Sequence, residues 1–147
     1  MPTAILYTSR HGRTRQVVAT VAERLSPPPK VINLTEPATA RPWAEHDRFQ
    51  IFCPTYGDEE LEPSMEECLV RHGDDLAGCD FAVCELGNYY GYDDFSFGAL
   101  HILRRHLLTR GGRELCSPLS LDSLPRLDWP QLDRWIDHVK TALKSHE

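Results

Sequence analysis

Short apolar runs alternate with amphipathic stretches of helical period along the chain, and this alternation limits the fold more than any single motif. Ala4-Ile5-Leu6-Tyr7, Lys30-Val31-Ile32-Asn33-Leu34, Phe49-Gln50-Ile51-Phe52-Cys53 and Phe81-Ala82-Val83-Cys84-Glu85-Leu86 have the length and apolar character of buried strands. After the first, Val17, Val18, Val21, Ala22 and Leu25 recur at helical spacing and stop at Ser26-Pro27-Pro28-Pro29, because proline cannot continue the hydrogen-bond ladder. The segment Thr35 to Asp47, broken by Pro37 and Pro42, crosses to the third strand. Pro63 suits the first turn of a helix whose inner face is Met65, Cys68 and Leu69, ending before Gly73. A longer helix turns Phe97, Leu100, Leu103 and Leu107 inward and stops at Gly111-Gly112. The last has Asp128 as N-cap, Pro130 in its first turn, and Leu132, Trp135, Ile136, Val139 and Leu143 on one stripe. A fifth strand is expected over roughly Arg113 to Leu121, where Pro118 makes it an edge strand or a split one. Strand, helix, strand in repeated order predicts an α/β fold, a doubly wound five-stranded parallel sheet with helices on both faces.

With 147 residues, one domain over 1–147 is expected, long enough to bury a core without staples. Five cysteines, Cys53, Cys68, Cys79, Cys84 and Cys116, show neither CxxC nor zinc-type spacing, which points to reduced core thiols rather than bridges or metal ligands. No apolar run approaches a membrane span, and Met1-Pro2-Thr3 leads into a strand without a signal-peptide pattern, so a cytoplasmic protein without membrane contact is expected. A formal net charge of -6 disfavours nucleic acid as a partner and suits docking on basic proteins.

In doubly wound sheets, ligands bind outside the carboxyl ends of the strands. Three loops meet that criterion: Thr8 to Thr14, Pro54 to Glu62, and Gly87 to Asp94. The first reads as a phosphate loop. Its backbone N–H groups and the positive end of the following helix point at one place, Ser9 and Thr14 add hydroxyls, Arg10 and Arg13 add charge, and Gly12 allows a tight turn. It is not a Walker loop, since no Gly-Lys-Ser/Thr follows, and it lacks GxGxxG. An N-capped helix start with solvated arginines would use the same residues, so the stretch alone leaves both readings open.

Taken together, the three loops resemble those of the flavodoxins, small electron carriers built on flavin mononucleotide (FMN), and the likeness runs over nearly the whole chain. Ser9-Arg10-His11-Gly12-Arg13-Thr14 resembles the family's phosphate loop, Ser-x-Thr-Gly-x-Thr. Thr55-Tyr56-Gly57-Asp58-Glu59 resembles its first flavin loop, Thr-Trp-Gly-Asp-Asp. Leu86-Gly87-Asn88-Tyr89-Tyr90-Gly91-Tyr92, running on to Phe97-Gly98-Ala99, resembles the second. No long insertion splits the last strand, so the resemblance is to short-chain members. It implies a strand order of 2-1-3-4-5 and FMN as cofactor. The cofactor-binding residues it implies are Thr8, Ser9, Arg10, His11, Gly12, Arg13 and Thr14; Pro54, Thr55, Tyr56, Gly57 and Asp58; and Leu86, Gly87, Asn88, Tyr89, Tyr92, Asp94 and Phe95.

A flat apolar ring needs aromatic faces, and Tyr56 and Tyr92 come from loops on either side of the site. The chain departs from the family at His11, a phosphate donor or a solvent-facing residue, and at Glu85 and Asn88, where Gly and Asp are more usual. The resemblance implies no catalytic residue or metal. It implies a low-potential one-electron carrier between a flavin- or NADPH-dependent reductase and basic-faced redox acceptor proteins. Asp58, Glu59, Glu60, Glu62, Glu66, Glu67, Asp93 and Asp94 would then form an acidic collar around the flavin. The alternatives are a flavodoxin-like FMN oxidoreductase acting on a quinone or porphyrinogen, and a sheet that binds another phosphorylated ligand or a partner without redox work.

Overall fold

The computed structural model describes residues 3–9, 12–34, 46–54, 61–87, 98–122 and 127–145. The apolar runs become parallel strands: β1 (Ala4–Tyr7), β2 (Lys30–Asn33), β3 (Arg48–Pro54) and β4 (Asp80–Gly87). Two shorter strands follow, β5 (Arg113–Glu114) and β6 (Leu119–Asp122). The order across the sheet is β2-β1-β3-β4-β5, with β6 also paired to β4, as the 2-1-3-4-5 expectation requires. Every residue of β1 is buried, as befits a strand with neighbours on both edges and helices on both faces.

The fifth position is the split strand that Pro118 predicts, divided between β5 and β6. Arg113 and Glu114 pair with Asp80 and Phe81, and pairing resumes only at Leu119 opposite Cys84. Three steps along β4 therefore face five along its neighbour. Pro118 has no N–H to give the ladder, and the Trp135 indole donates to Ser117 O at 3.0 Å, holding the interrupted segment towards the last helix instead.

The helices α1 (Arg13–Arg24), α2 (Pro63–His72), α3 (Gly98–Thr109) and α4 (Trp129–Ser145) cover the two faces. Strand alternation sends Leu6, Phe49, Ile51, Cys53, Phe81 and Val83 to one face, where Met65 and Leu69 of α2 and Leu100, Leu103 and Leu107 of α3 close over them. Ile5, Tyr7, Phe52, Ala82, Cys84 and Leu86 point the other way, against Val17, Val18 and Val21 of α1 and Leu132, Trp135, Ile136 and Val139 of α4. The Trp135 ring stands edge-on to Phe52 at 5.7 Å. Phe97 lies outside the described residues. No helix among the described residues is long and apolar enough to cross a membrane.

Candidate functional site

The sheet register brings the three candidate loops together. Tyr7 lies level with Phe52, and Pro54 with Leu86, so the carboxyl ends of β1, β3 and β4 are neighbours. The chain leaves them at Thr8, after Pro54 and after Gly87.

At the first of these ends the backbone turns from strand to helix within a few residues. Thr8 is fully buried; its N–H donates to Phe52 O at 3.3 Å, and its hydroxyl has no hydrogen-bond partner among the described residues. Ser9 Oγ accepts the Gly12 N–H at 3.1 Å, closing the turn. Gly12 stands at φ 85°, in the left-handed region that penalises a β-carbon, although such a carbon would meet nothing within 4 Å. Conformation rather than space therefore calls for glycine, and the room beside it is open to a ligand. Gly12 is also the N-cap of α1, and having no side chain it cannot itself cap that helix. Its first turn has no acidic residue, whereas Arg13 and Arg15 are both exposed there and Thr14 is buried. Arg15 was not among the predicted site residues, although the spacing Arg13-Thr14-Arg15 places it on the same turn. The dipole of α1 and the cations of its first turn favour a negative charge at this end.

The other helices begin differently. After the second loop, Glu62 is buried and its Oε2 accepts the N–H groups of Ser64 at 2.9 Å and Met65 at 3.3 Å, capping α2 behind Pro63. This corrects the expectation that Glu62 belongs to an acidic collar: it is a buried helix cap. A glutamate directly before a helix-starting proline was the signal. At the end of β4, buried Glu85 accepts the Leu100 N–H on Oε2 at 2.7 Å and the Ser120 hydroxyl on Oε1 at 3.3 Å. It ties β4, β6 and the first turn of α3 into one joint. The departure from the family pattern at this position is thus turned into the protein. Asp128 caps α4 through the Gln131 N–H at 3.1 Å, as expected.

These carboxylates lie close to the thiols of the central strands. Burial, then Glu85, Cys84 and Glu62, pushes the Cys53 thiol well up, and burial and Glu85 do the same to Cys84. Both shifts favour the thiol over the thiolate. Cys116, half-buried, is pushed up to about 11 by burial and Glu114.

Among the predicted site residues, Thr8, Ser9, Gly12, Arg13 and Thr14 form one turn, and Pro54, Leu86 and Gly87 end the adjoining strands. Arg10, His11, Thr55, Tyr56, Gly57, Asp58, Asn88, Tyr89, Tyr92, Asp94 and Phe95 lie outside the described residues.

No protein-family model matches the chain, and no curated protein matches it in sequence. Solved structures do. A flavodoxin from Streptococcus pneumoniae TIGR4 aligns with a TM-score of 0.77 over 99% of this chain and 99% of its own, at 21% identity. A mutant of the flavodoxin from Pseudomonas aeruginosa gives 0.72 over 98% and 99%, at 25% identity. The fold is that of a flavodoxin. Fusobacterium nucleatum flavodoxin bound to flavin mononucleotide aligns with a TM-score of 0.71 over 95% of this chain and 97% of its own, at 16% identity. In this fold the carboxyl edge between β1 and β3 is where the strand order reverses, and α1 starts there.

Proposed function

We propose that the chain binds FMN at the carboxyl edge of its sheet and carries single electrons between proteins. The observation that carries this reading is the contrast between helix starts among the described residues: carboxylates meet the first turns of α2, α3 and α4, while α1 begins at a glycine with no side-chain cap, beside a buried Thr8 hydroxyl without a partner there. A phosphate monoester meets that combination in charge, acceptor count and position.

The flavin supplies the electron chemistry when bound. The chain's residues bind, orient and bias it. Thr8, Ser9, Thr14 and the N–H groups of the first turn of α1 hold the phosphate, with Arg10 and Arg13 offsetting its charge. Tyr56 and Tyr92 flank the ring. Glu85 fixes the start of α3, and with it the far end of the loop that carries Tyr92. Glu62 and Glu85 hold negative charge beneath this edge and oppose further reduction to an anion, which favours a low potential. Exposed Glu66 and Glu67 on α2 suit partners with basic faces, a reductase on one side and an acceptor on the other. The cytoplasm is the compartment that fits five unbridged cysteines.

The test is a titration of the purified protein with FMN, followed by stepwise anaerobic reduction of the complex. Stoichiometric binding and two separated one-electron steps support the carrier. Binding without separated steps, together with turnover of a quinone by NADPH, would favour the oxidoreductase alternative. No FMN binding would refute the reading.

A further inference from the structure

The outer side of α3 carries two arginines, Arg105 and Arg110, that make no ion pair with a carboxylate among the described residues. Two rows at helical spacing, His101, Arg105 and Thr109 beside Ile102, His106 and Arg110, line a groove of about 330 Å³. Neighbouring arginines are neutralised: Arg104 makes a two-pronged bond to Glu114 at 2.8 Å on each arm, and Arg113 lies 2.9 Å from Asp80. Arg105, by contrast, is exposed and makes no hydrogen bond or ion pair among the described residues.

Arg110 is held in place before any ligand arrives. Its Nη1 donates to His106 Nδ1 at 2.9 Å and to His106 O at 3.3 Å, and its stem lies across Gly73, where a β-carbon would come within 2.3 Å of Arg110 Cδ. Because a guanidinium only donates, His106 Nδ1 is the acceptor and Nε2 carries the proton, 3.7 Å from Glu66. Glu66 is the one carboxylate paired to this cluster among the described residues. A cation at the end of a helix offsets its dipole, which accounts for Arg110; Arg105 stands more than a turn earlier, where that effect has faded.

We propose that this groove is a docking site for an acidic, carboxylate-rich segment of a partner protein. Two guanidinium forks, one exposed and one pre-ordered, match carboxylates in shape and charge. Thr109 offers a hydroxyl and Ile102 an apolar patch for the segment's backbone and stems. A nucleic acid fits less well, because the cations here span under three turns of one helix, short of the extended basic face that a run of phosphates needs. The first turn of α3 meets Glu85 at the carboxyl edge, and the helix ends near Gly111, whose O accepts the Gly78 N–H at the opposite edge. Arg105 and Arg110 therefore lie in the half of α3 away from the carboxyl edge. The proposal stands independently of FMN.

The experiment is a fluorescence-anisotropy titration of a short fluorescein-labelled peptide of Asp and Glu with the full chain. Saturable binding that weakens with salt is expected, with a loss of about fivefold or more in Arg105→Glu and none in Arg134→Glu, an exposed change on α4. Circular dichroism checks that both variants fold. Absence of saturable binding, equal affinity in Arg105→Glu, or tighter binding of a thymidine oligonucleotide than of the peptide would overturn the proposal.

Discussion

Single buried polar atoms are where this molecule commits itself most sharply. A hydroxyl without a partner costs about 1–3 kcal/mol of desolvation, so Thr8→Val is expected to leave the ligand-free protein as stable or slightly more stable. The same change should weaken FMN binding about tenfold, the loss of one hydrogen bond to a charged group. Urea unfolding and a flavin-fluorescence titration read the two halves separately. His106 makes a second prediction. Burial and, next, the Arg110 guanidinium lower its pKa, with Glu66 pulling the other way and Arg105 adding to the fall. The folded chain thus holds this ring neutral where the unfolded chain protonates it, below about pH 6.5. Unfolded molecules then bind more protons, so the contribution is complete above that pH and is lost as acidification proceeds towards the lowered value. His106→Gln removes the loss. Between about pH 7 and pH 5 the wild type should therefore give up more stability than the variant, measured as urea midpoints across the range.

At the level of elements, three helix starts rest on carboxylates and one on a glycine. Glu85→Leu strands the Leu100 N–H and the Ser120 hydroxyl together and should cost about 2–4 kcal/mol, whereas Glu85→Gln keeps one acceptor oxygen and should cost about 1 kcal/mol. Denaturant unfolding of the pair checks the order. The ends of the elements were legible where a residue acts on its own backbone: Pro27 after α1, Pro63 and Gly73 around α2, and Asp128 before α4. Glu85 was opaque, because its partners lie 15 and 35 residues further along the chain and nothing local marks a glutamate in an apolar strand as a cap. Glu62 looked like one of a run of solvated acids until its burial behind Pro63 set it apart. Pro118 announced an interrupted strand, but two readings of the interruption remained until the pairing with β4 resumed at Leu119. The turn at Gly12 was visible from its hydroxyls and arginines. The isolation of the Thr8 hydroxyl was not, since it depends on how tightly β1 and β3 enclose that side chain.

Across the whole molecule, the candidate site draws on loops that join different strands, so occupancy should stabilise the fold as a unit. FMN at about a hundred times its dissociation constant is expected to add about 2.7 kcal/mol, and the melting temperature should rise with FMN concentration and respond less to riboflavin, which lacks the phosphate. Differential scanning fluorimetry with both compounds tests this. The sheet's outer margins have a different kind of consequence. One margin is β2, four residues long; the other is divided between two residues of β5 and four of β6, with proline in the gap. An approaching polypeptide finds only a brief, broken row of backbone groups to copy. Fibril seeding, which spreads by laying one extended strand after another along an unbroken border, has little to grow from on either side of this sheet.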